Sequence, residues 1–385
     1  MEFDQQWLLL VLPLAFALGW IASRLDVRQA RRDLRDAPRA YFKGLNLLLN
    51  EQHDKAIDVF IEAVQHDPDT SDLHFALGNL FRRRGEYERA VRVHQHLLGR
   101  SDLPRAERDR AQHALALDFM KAGLFDRAEE AFRALEGTSF DTEARLALLG
   151  LYERSRQWRQ AVETARKLEQ GALGSFATRI ANYWCELALE ADARGQPDEG
   201  DAALAQARKA SPQSPRPLAL AGEREAARGR HRQALEAWTE LLALAPDAFS
   251  LVARAFVASA QAIGQEDTAR QQLSEAYRRA PSMELVQALA LLDGDAARTR
   301  DRLRAHLRQQ PTLSVAVAAM RHDATSGGTI ERDDLDAALA AIEQAAMPLR
   351  RYRCAACGFE ANQHFWQCPA CLGWDTFPPR RLEEQ

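Results

Sequence analysis

The sequence predicts an all-α protein, a solenoid of paired helices preceded by a membrane-spanning helix and closed by a small metal-binding module. Three observations carry that prediction. Small, aromatic and proline residues recur at fixed offsets, about 33 to 39 residues apart, from about Ala37 to Pro281. An uncharged run, Gln5 to Ser23, lies at the start of the sequence, and two Cys-x-x-Cys pairs stand near its end. The boundaries read from the sequence are an anchor over 1–23, a basic linker over 24–36, a repeat array over 37–347 and a four-cysteine module over 350–378.

Composition supports a packed helical chain. Apolar residues make up 46% of the 385 and charged residues 28%, enough to bury a sizeable core. Alanine, leucine, arginine and glutamate dominate, all good helix formers. A formal net charge of −4 argues against nucleic acid as a partner, since phosphate binding needs a basic surface. Of five cysteines, four cluster between Cys354 and Cys371 and Cys185 stands alone. That is not the framework of a secreted disulfide protein, and a reducing compartment is expected.

The run from Gln5 to Ser23 would span roughly 28 Å as a helix, enough for a bilayer core. Trp7 and Trp20 fall near its two ends, where amphipathic rings favour the membrane interface. Glu2 and Asp4 precede it, whereas Arg24, Arg28, Arg31, Arg32, Arg35, Arg39 and Lys43 follow. The positive-inside rule then leaves the body of the protein in the cytoplasm. Ala15-Phe16-Ala17 resembles a signal-peptidase site, but the preceding segment is acidic and the apolar run continues past it, so a retained anchor is expected.

The repeat begins with Gly44, Ala56, Phe60, Ala63 and Pro68, and continues with Gly78, Gly85, Tyr87 and Ala90. Its best-formed copy carries Leu218, Gly222, Gly229, Ala234, Trp238 and Pro246, and the last clear one Gly264, Ala269, Ala276 and Pro281. Small residues let two antiparallel helices approach, the aromatic fills the space between neighbours, and proline stops the second helix. The period is close to the 34 residues of the tetratricopeptide repeat. Seven units are expected, followed by a degenerate pair to Pro311 and a half-formed pair around Thr325–Thr329.

Such an array presents a long face of first helices, suited to peptides or partner proteins rather than to a small substrate. Register places Phe75, Asn79, Arg82, His113, Leu117 and Met120 on that face. Cys185 reads as a packed small hydrophobe. No nucleotide-binding loop, metalloprotease motif or catalytic-triad order is found, so a binding scaffold rather than an enzyme is expected.

At the C-terminus, Cys354-Ala-Ala-Cys357-Gly358 and Cys368-Pro-Ala-Cys371-Leu-Gly373 form two knuckles with ten residues between them. Each knuckle puts two sulfurs on one side of a tight turn, and two knuckles complete a tetrahedron. Gly358 and Gly373 are expected to supply left-handed backbone there. With four thiolates present, His364 is expected at the surface rather than on the metal. Tyr352, Phe359, Phe365, Trp366, Trp374 and Phe377 exceed what so small a module can enclose, so part of this surface is expected to pack on the repeats. The site reads as structural, because protein fills all four positions.

The order of apolar span, repeat array and a Tyr352-Arg353-Cys354 … Cys357-Gly358-Phe359 … Trp366-Gln367-Cys368-Pro369-Ala370-Cys371 ending resembles the lipopolysaccharide assembly protein B (LapB) family over essentially the whole chain. That resemblance implies a rubredoxin-like module with Cys354, Cys357, Cys368 and Cys371 as metal ligands. The ten-residue gap is shorter than in true rubredoxins, which favours one structural zinc over iron. It also implies a place on the cytoplasmic side of the bacterial inner membrane. There the family acts as an adaptor that promotes degradation of the deacetylase LpxC by the membrane protease FtsH and contacts other membrane proteins of lipopolysaccharide synthesis. A general membrane-associated assembly factor or co-chaperone is the alternative.

Overall fold

The computed structural model describes residues 43–44, 46–47, 50, 52–66, 70–171, 174–310, 312–325, 339 and 342–385. The expected anchor 1–23, the linker 24–36, Pro68, Pro311 and the turn at 326–329 lie outside them. Among the described residues no helix is long and apolar enough to cross a membrane.

What is described is a tetratricopeptide-like succession of short helices with one small β-hairpin at the end. Helix α1 (His53–His66) is followed by α2 (Ser71–Arg84) with α3 (Tyr87–Leu98), α4 (Arg105–Lys121) with α5 (Phe125–Arg133), and α6 (Asp141–Arg154) with α7 (Trp158–Gln170). Next come α8 (Ala177–Ala193) with α9 (Pro197–Ala210) and α10 (Arg216–Ala227) with α11 (His231–Leu244). The following first helix is broken into α12 (Pro246–Phe249), a 3-10 turn and α13 (Ala253–Ala262) before α14 (Glu266–Arg279). Then α15 (Met283–Asp293) precedes α16 (Ala296–Gln309), and α17 (Leu313–Thr325) stands last. The chain divides into two compact units, one ending at Leu151 and one beginning at Tyr152.

Steric fit explains the repeat signature. A Cβ built on Gly44 would lie 2.6 Å from the Phe60 ring, on Gly78 2.5 Å from His94, and on Gly222 2.2 Å from Trp238 Nε1. In each case the ring sixteen residues later lies across bare backbone of the preceding helix. The Trp238 indole also donates to the Ala219 carbonyl at 3.1 Å, locking that contact. His94 takes the aromatic's place in the second unit, which the repeat pattern alone did not flag. It is fully buried, and its Nδ1 meets Asp118 Oδ2 at 2.5 Å, while Arg82 donates to Asp118 Oδ1 at 2.7 Å.

Turns within pairs use a left-handed residue that returns amides to the end of the first helix. Gly85 (φ 84°) does so, with Glu86 N donating to Phe81 O at 2.8 Å. Between α6 and α7 the same place is held by Arg156, at φ 55°, where glycine is absent from the repeat pattern.

The expected partner face is partly spent on internal packing. Phe75 is 2% exposed, clustered with Leu97, Leu103 and Ala111, and Arg110 lies 4.1 Å over its ring. His113 stacks on Phe140 with ring centroids 4.8 Å apart, and Arg82 is held by Asp118 and Asn79. Asn79, Leu117 and Met120 are half-buried. Helices in an array pack on neighbours from two sides, so register alone overestimates what remains open.

These contacts set a measurable contrast. Gly222→Ala should destabilise unit two by about 1–3 kcal/mol, because the added methyl overpacks against Trp238. Gly150→Ala, where a Cβ meets nothing within 4 Å, should be neutral or stabilising by up to ~1 kcal/mol. Denaturant midpoints of the two variants check both.

Candidate metal centre and its seat on the helices

Strand β1 (Tyr352–Arg353) pairs antiparallel with β2 (Glu360–Ala361), Tyr352 opposite Ala361 and Arg353 opposite Glu360. The hairpin turn between them is the first knuckle. Cys354 N donates to Phe359 O and Gly358 N to Cys354 O, both at 2.9 Å. The second knuckle repeats the pattern, with Cys368 N donating to Gly373 O and Leu372 N to Cys368 O, both at 2.8 Å.

The residue after the second cysteine is left-handed in each knuckle. It is Gly358 (φ 76°) in the first but Leu372 (φ 58°) in the second, not Gly373 as expected. Turn position decides which residue bends, and Gly373 falls one place too late. Its missing side chain serves space instead: a Cβ there would sit 2.8 Å from Thr376 Cγ2 and 3.4 Å from Cys371 Sγ.

The four sulfurs lie within 4.8 Å of one another, and all four cysteines are free. Cys354 Sγ is 3.8 Å from Cys371 Sγ, and Cys357 Sγ is 3.7 Å from Cys368 Sγ. A tetrahedron with metal–sulfur bonds of about 2.3 Å has edges of about 3.8 Å, so the arrangement fits a four-thiolate metal site with no open position. Cys354 and Cys368 are buried, and Cys357 and Cys371 reach the surface.

Four thiols this close cannot all ionise without a cation. Burial raises the Cys354 thiol, but the Thr376 hydroxyl (3.2 Å) and the Cys357 and Ala356 amides outweigh it and bring it down to about 6. Cys357 is favoured as a thiolate by the Phe359 amide, yet burial and its three neighbouring thiols push it up to about 12. A bound divalent ion removes that conflict by accepting all four as thiolates.

His364 stands apart from the four sulfurs and is half-buried, not fully at the surface. Its Nε2 meets the Phe377 carbonyl at 3.1 Å, and its ring is edge-on to Tyr352, Trp366 and Phe377. Tyr352, Cys354, Cys368 and Phe377 form the module's core, Ala361 and Phe365 pack against it, and the His364 ring meets it at Tyr352 and Phe377. Burial holds the imidazole pKa below its ordinary value.

The surplus aromatics pack on the helices, as expected, and the seat is polar at its centre. Trp374 stands edge-on to Trp158 and Tyr183, with centroids 6.1 and 5.7 Å away. Its indole donates to Glu153 Oε1 at 3.0 Å. The same oxygen accepts from Tyr183 at 2.5 Å and Arg179 at 2.7 Å, on a carboxylate only 5% exposed. Burial and that carboxylate push the Tyr183 phenol well above its usual range, keeping it a donor. Asn182 donates to Asp375 at 3.1 Å, and the Arg216 guanidinium lies 5.5 Å from the Trp374 ring and 5.9 Å from Trp366. Sequence reasoning found the module's side of this seat but not Glu153, Asn182 or Arg216, which look like ordinary helix charges in one dimension.

The last residues extend the attachment. Arg380 pairs with Asp247 at 3.0 Å and Arg381 with Glu284 at 3.1 Å. Glu384 accepts from Met283 N at 3.3 Å and Glu383 from Ser314 N at 3.2 Å, so two tail carboxylates sit at the starts of α15 and α17. Cys185 is fully buried on α8, and burial pushes its thiol up to about 12, as befits a packing residue.

Two family profiles match the chain: a rubredoxin metal binding domain over residues 352–379 and a tetratricopeptide repeat over 73–109. Lipopolysaccharide assembly protein B of Escherichia coli strain K12 is 31% identical, across 97% of this chain and 98% of that protein. The protein of the same name from Haemophilus influenzae is 28% identical, across 98% of each. A tetratricopeptide repeat protein of Parabacteroides merdae aligns with 66% of this chain and 98% of its own at 15% identity, with a TM-score of 0.34.

The seat should be sensitive at its buried carboxylate. Glu153→Ala strands the Trp374, Tyr183 and Arg179 donors and should cost about 3–5 kcal/mol of unit-two stability. Trp374→Phe keeps most of the ring contact and loses one hydrogen bond, for about 1–2 kcal/mol. Denaturation followed by tryptophan fluorescence should rank the two in that order.

Proposed function

The chain belongs to the lipopolysaccharide assembly protein B family, and from that membership we propose that it is a non-enzymatic adaptor in lipopolysaccharide assembly. It is held by the span 1–23 at the bacterial inner membrane, with its repeats in the cytoplasm. There it brings LpxC to FtsH for degradation and contacts other membrane proteins of the pathway. The observation that carries the reading is that the similarity to lipopolysaccharide assembly protein B, at 31% identity, covers 97% of the chain and 98% of that relative. The Arg-rich flank after Ser23 supports the orientation. Tethering raises the scaffold's effective concentration beside membrane partners.

The metal in this reading is one structural zinc on Cys354, Cys357, Cys368 and Cys371. Filled coordination leaves it no catalytic position, and a module of this size needs such a staple to hold its few core residues together. Trp366 and Trp374 flank the second knuckle, so zinc also fixes the surface that meets Glu153 and Arg216.

Two outcomes follow. Alkaline phosphatase fused after the repeats should be inactive, and a cytoplasmic reporter at the same point active; strong phosphatase activity would reverse the topology. Cys354→Ser should drop zinc from roughly one per chain to near zero while far-ultraviolet helicity stays nearly unchanged, because neighbouring repeats hold one another. In cells depleted of the native adaptor, the wild-type chain should keep LpxC low and Cys354→Ser should let it accumulate. Normal LpxC turnover with a metal-free variant would remove the module from the mechanism.

A further inference from the structure

In each knuckle the first cysteine is sealed and the second is open. Cys354 and Cys368 are 1% and 0% exposed, whereas Cys357 and Cys371 reach the surface. The sulfur contacts Cys354–Cys371 (3.8 Å) and Cys357–Cys368 (3.7 Å) cross from one knuckle to the other, each joining an open sulfur to a sealed one. The fifth cysteine, Cys185, is fully buried on α8 and outside this group. The second knuckle runs directly into the seat on the helices. Within its continuation, Asp375 N donates to Trp366 O at 2.8 Å, and Thr376 O accepts from Ala355 N of the first knuckle at 2.7 Å. Between them and Cys371 stands Trp374, whose indole holds Glu153 at 3.0 Å. The stretch 371–376 is thus tied to both knuckles and ends on the buried carboxylate.

We propose that the module is an oxidant-sensitive latch: a peroxide converts the four thiolates into the crossed disulfides Cys354–Cys371 and Cys357–Cys368, and Trp374 thereby lets go of Glu153. The step starts at an open sulfur. The Cys357 thiolate attacks one peroxide oxygen, the O–O bond breaks, hydroxide leaves and a sulfenic acid remains. The Cys368 thiolate then attacks that sulfur, forming the S–S bond and releasing a second hydroxide. Cys371 and Cys354 repeat the sequence with a second peroxide. Each disulfide gives up two electrons to one peroxide, and four protons from the buffer turn the four hydroxides into water. No thiolate is then left to donate to zinc, so the ion is lost. With sulfurs bonded to each other rather than arranged around an ion, the two knuckles close up, and residues 371–376 move with the second. A shift of about 1 Å takes the Trp374 indole out of the narrow range in which its bond to Glu153 holds. Thiol reductant and zinc together reverse the change. This goes beyond the adaptor reading and rests on its structural zinc.

The test uses the full-length chain in detergent micelles, purified with its zinc and labelled with 5-fluorotryptophan, with the Trp374 signal assigned through Trp374→Phe. The probe is hydrogen peroxide, with a zinc-binding dye in solution. About one zinc should be released per chain for about two peroxides consumed. Peptide mapping should then find Cys354 joined to Cys371 and Cys357 to Cys368. The Trp374 resonance should move as the disulfides form and return with dithiothreitol and zinc. Cys185→Ala should change none of these readings, since that thiol is sealed on α8. Met347, 59% exposed, serves as an internal standard for the oxidant. Zinc retained while Met347 is converted to its sulfoxide, disulfides confined within the knuckles, or a Trp374 signal unmoved after the crossed disulfides have formed would each overturn the latch. A chain that holds no zinc when purified would overturn both the latch and the structural-zinc reading. None of these outcomes bears on LpxC turnover, so the latch can fail while the adaptor reading stands, and the reverse.

Discussion

The C-terminal half of the molecule depends on satisfying one buried carboxylate. Glu153 ends a helix in a position shielded from water, and an unpaired charge there would cost several kcal/mol. Donors from two sources meet it: Tyr183 and Arg179 from α8, and the Trp374 indole from the module. The carboxylate thus joins parts that stand 221 residues apart in the chain. Aromatic contacts supply area around it, but area alone would let the module slide. A hydrogen bond to a buried charge fixes its register.

The two elements are therefore unequal partners. Helical repeats stabilise one another by nearest-neighbour packing. The module has a core of Tyr352, Cys354, Cys368 and Phe377 with little else around it. Its order comes from outside, through the four sulfurs at one end and the helices at the other. Thr376 bonds to Cys354 Sγ, while Trp374 and Asp375 face the array, so one short stretch of backbone serves both.

Much of this was legible in one dimension, and the reasons for the rest are physical. Repeat positions such as Gly222 and Trp238 are readable because bare backbone and a large ring form a fixed offset within one pair. The cysteines are readable because four thiols have few other uses at that spacing. His94 escaped because a histidine filled the aromatic's place and paired with an aspartate from the next pair, a contact with no local signature. Gly373 was misread because two glycines near two knuckles suggest equal roles, while turn geometry gives the bend to Leu372. Phe75 was placed on an open face although the neighbouring helix covers it. Glu153, Asn182 and Arg216 were invisible because nothing in a helix's own periodicity says which charges another part of the chain will cover.

The tail carries one further consequence. Glu383 and Glu384 hold the starts of two helices, Leu382 N donates to the Arg351 carbonyl at 2.8 Å, and Gln385 donates to Arg380 O at 3.1 Å. The ease of local opening follows the bonds that must break first. Freeing residues 380–385 means breaking contacts at two helix starts and at the module together, so this stretch opens with its surroundings and does not fray by itself.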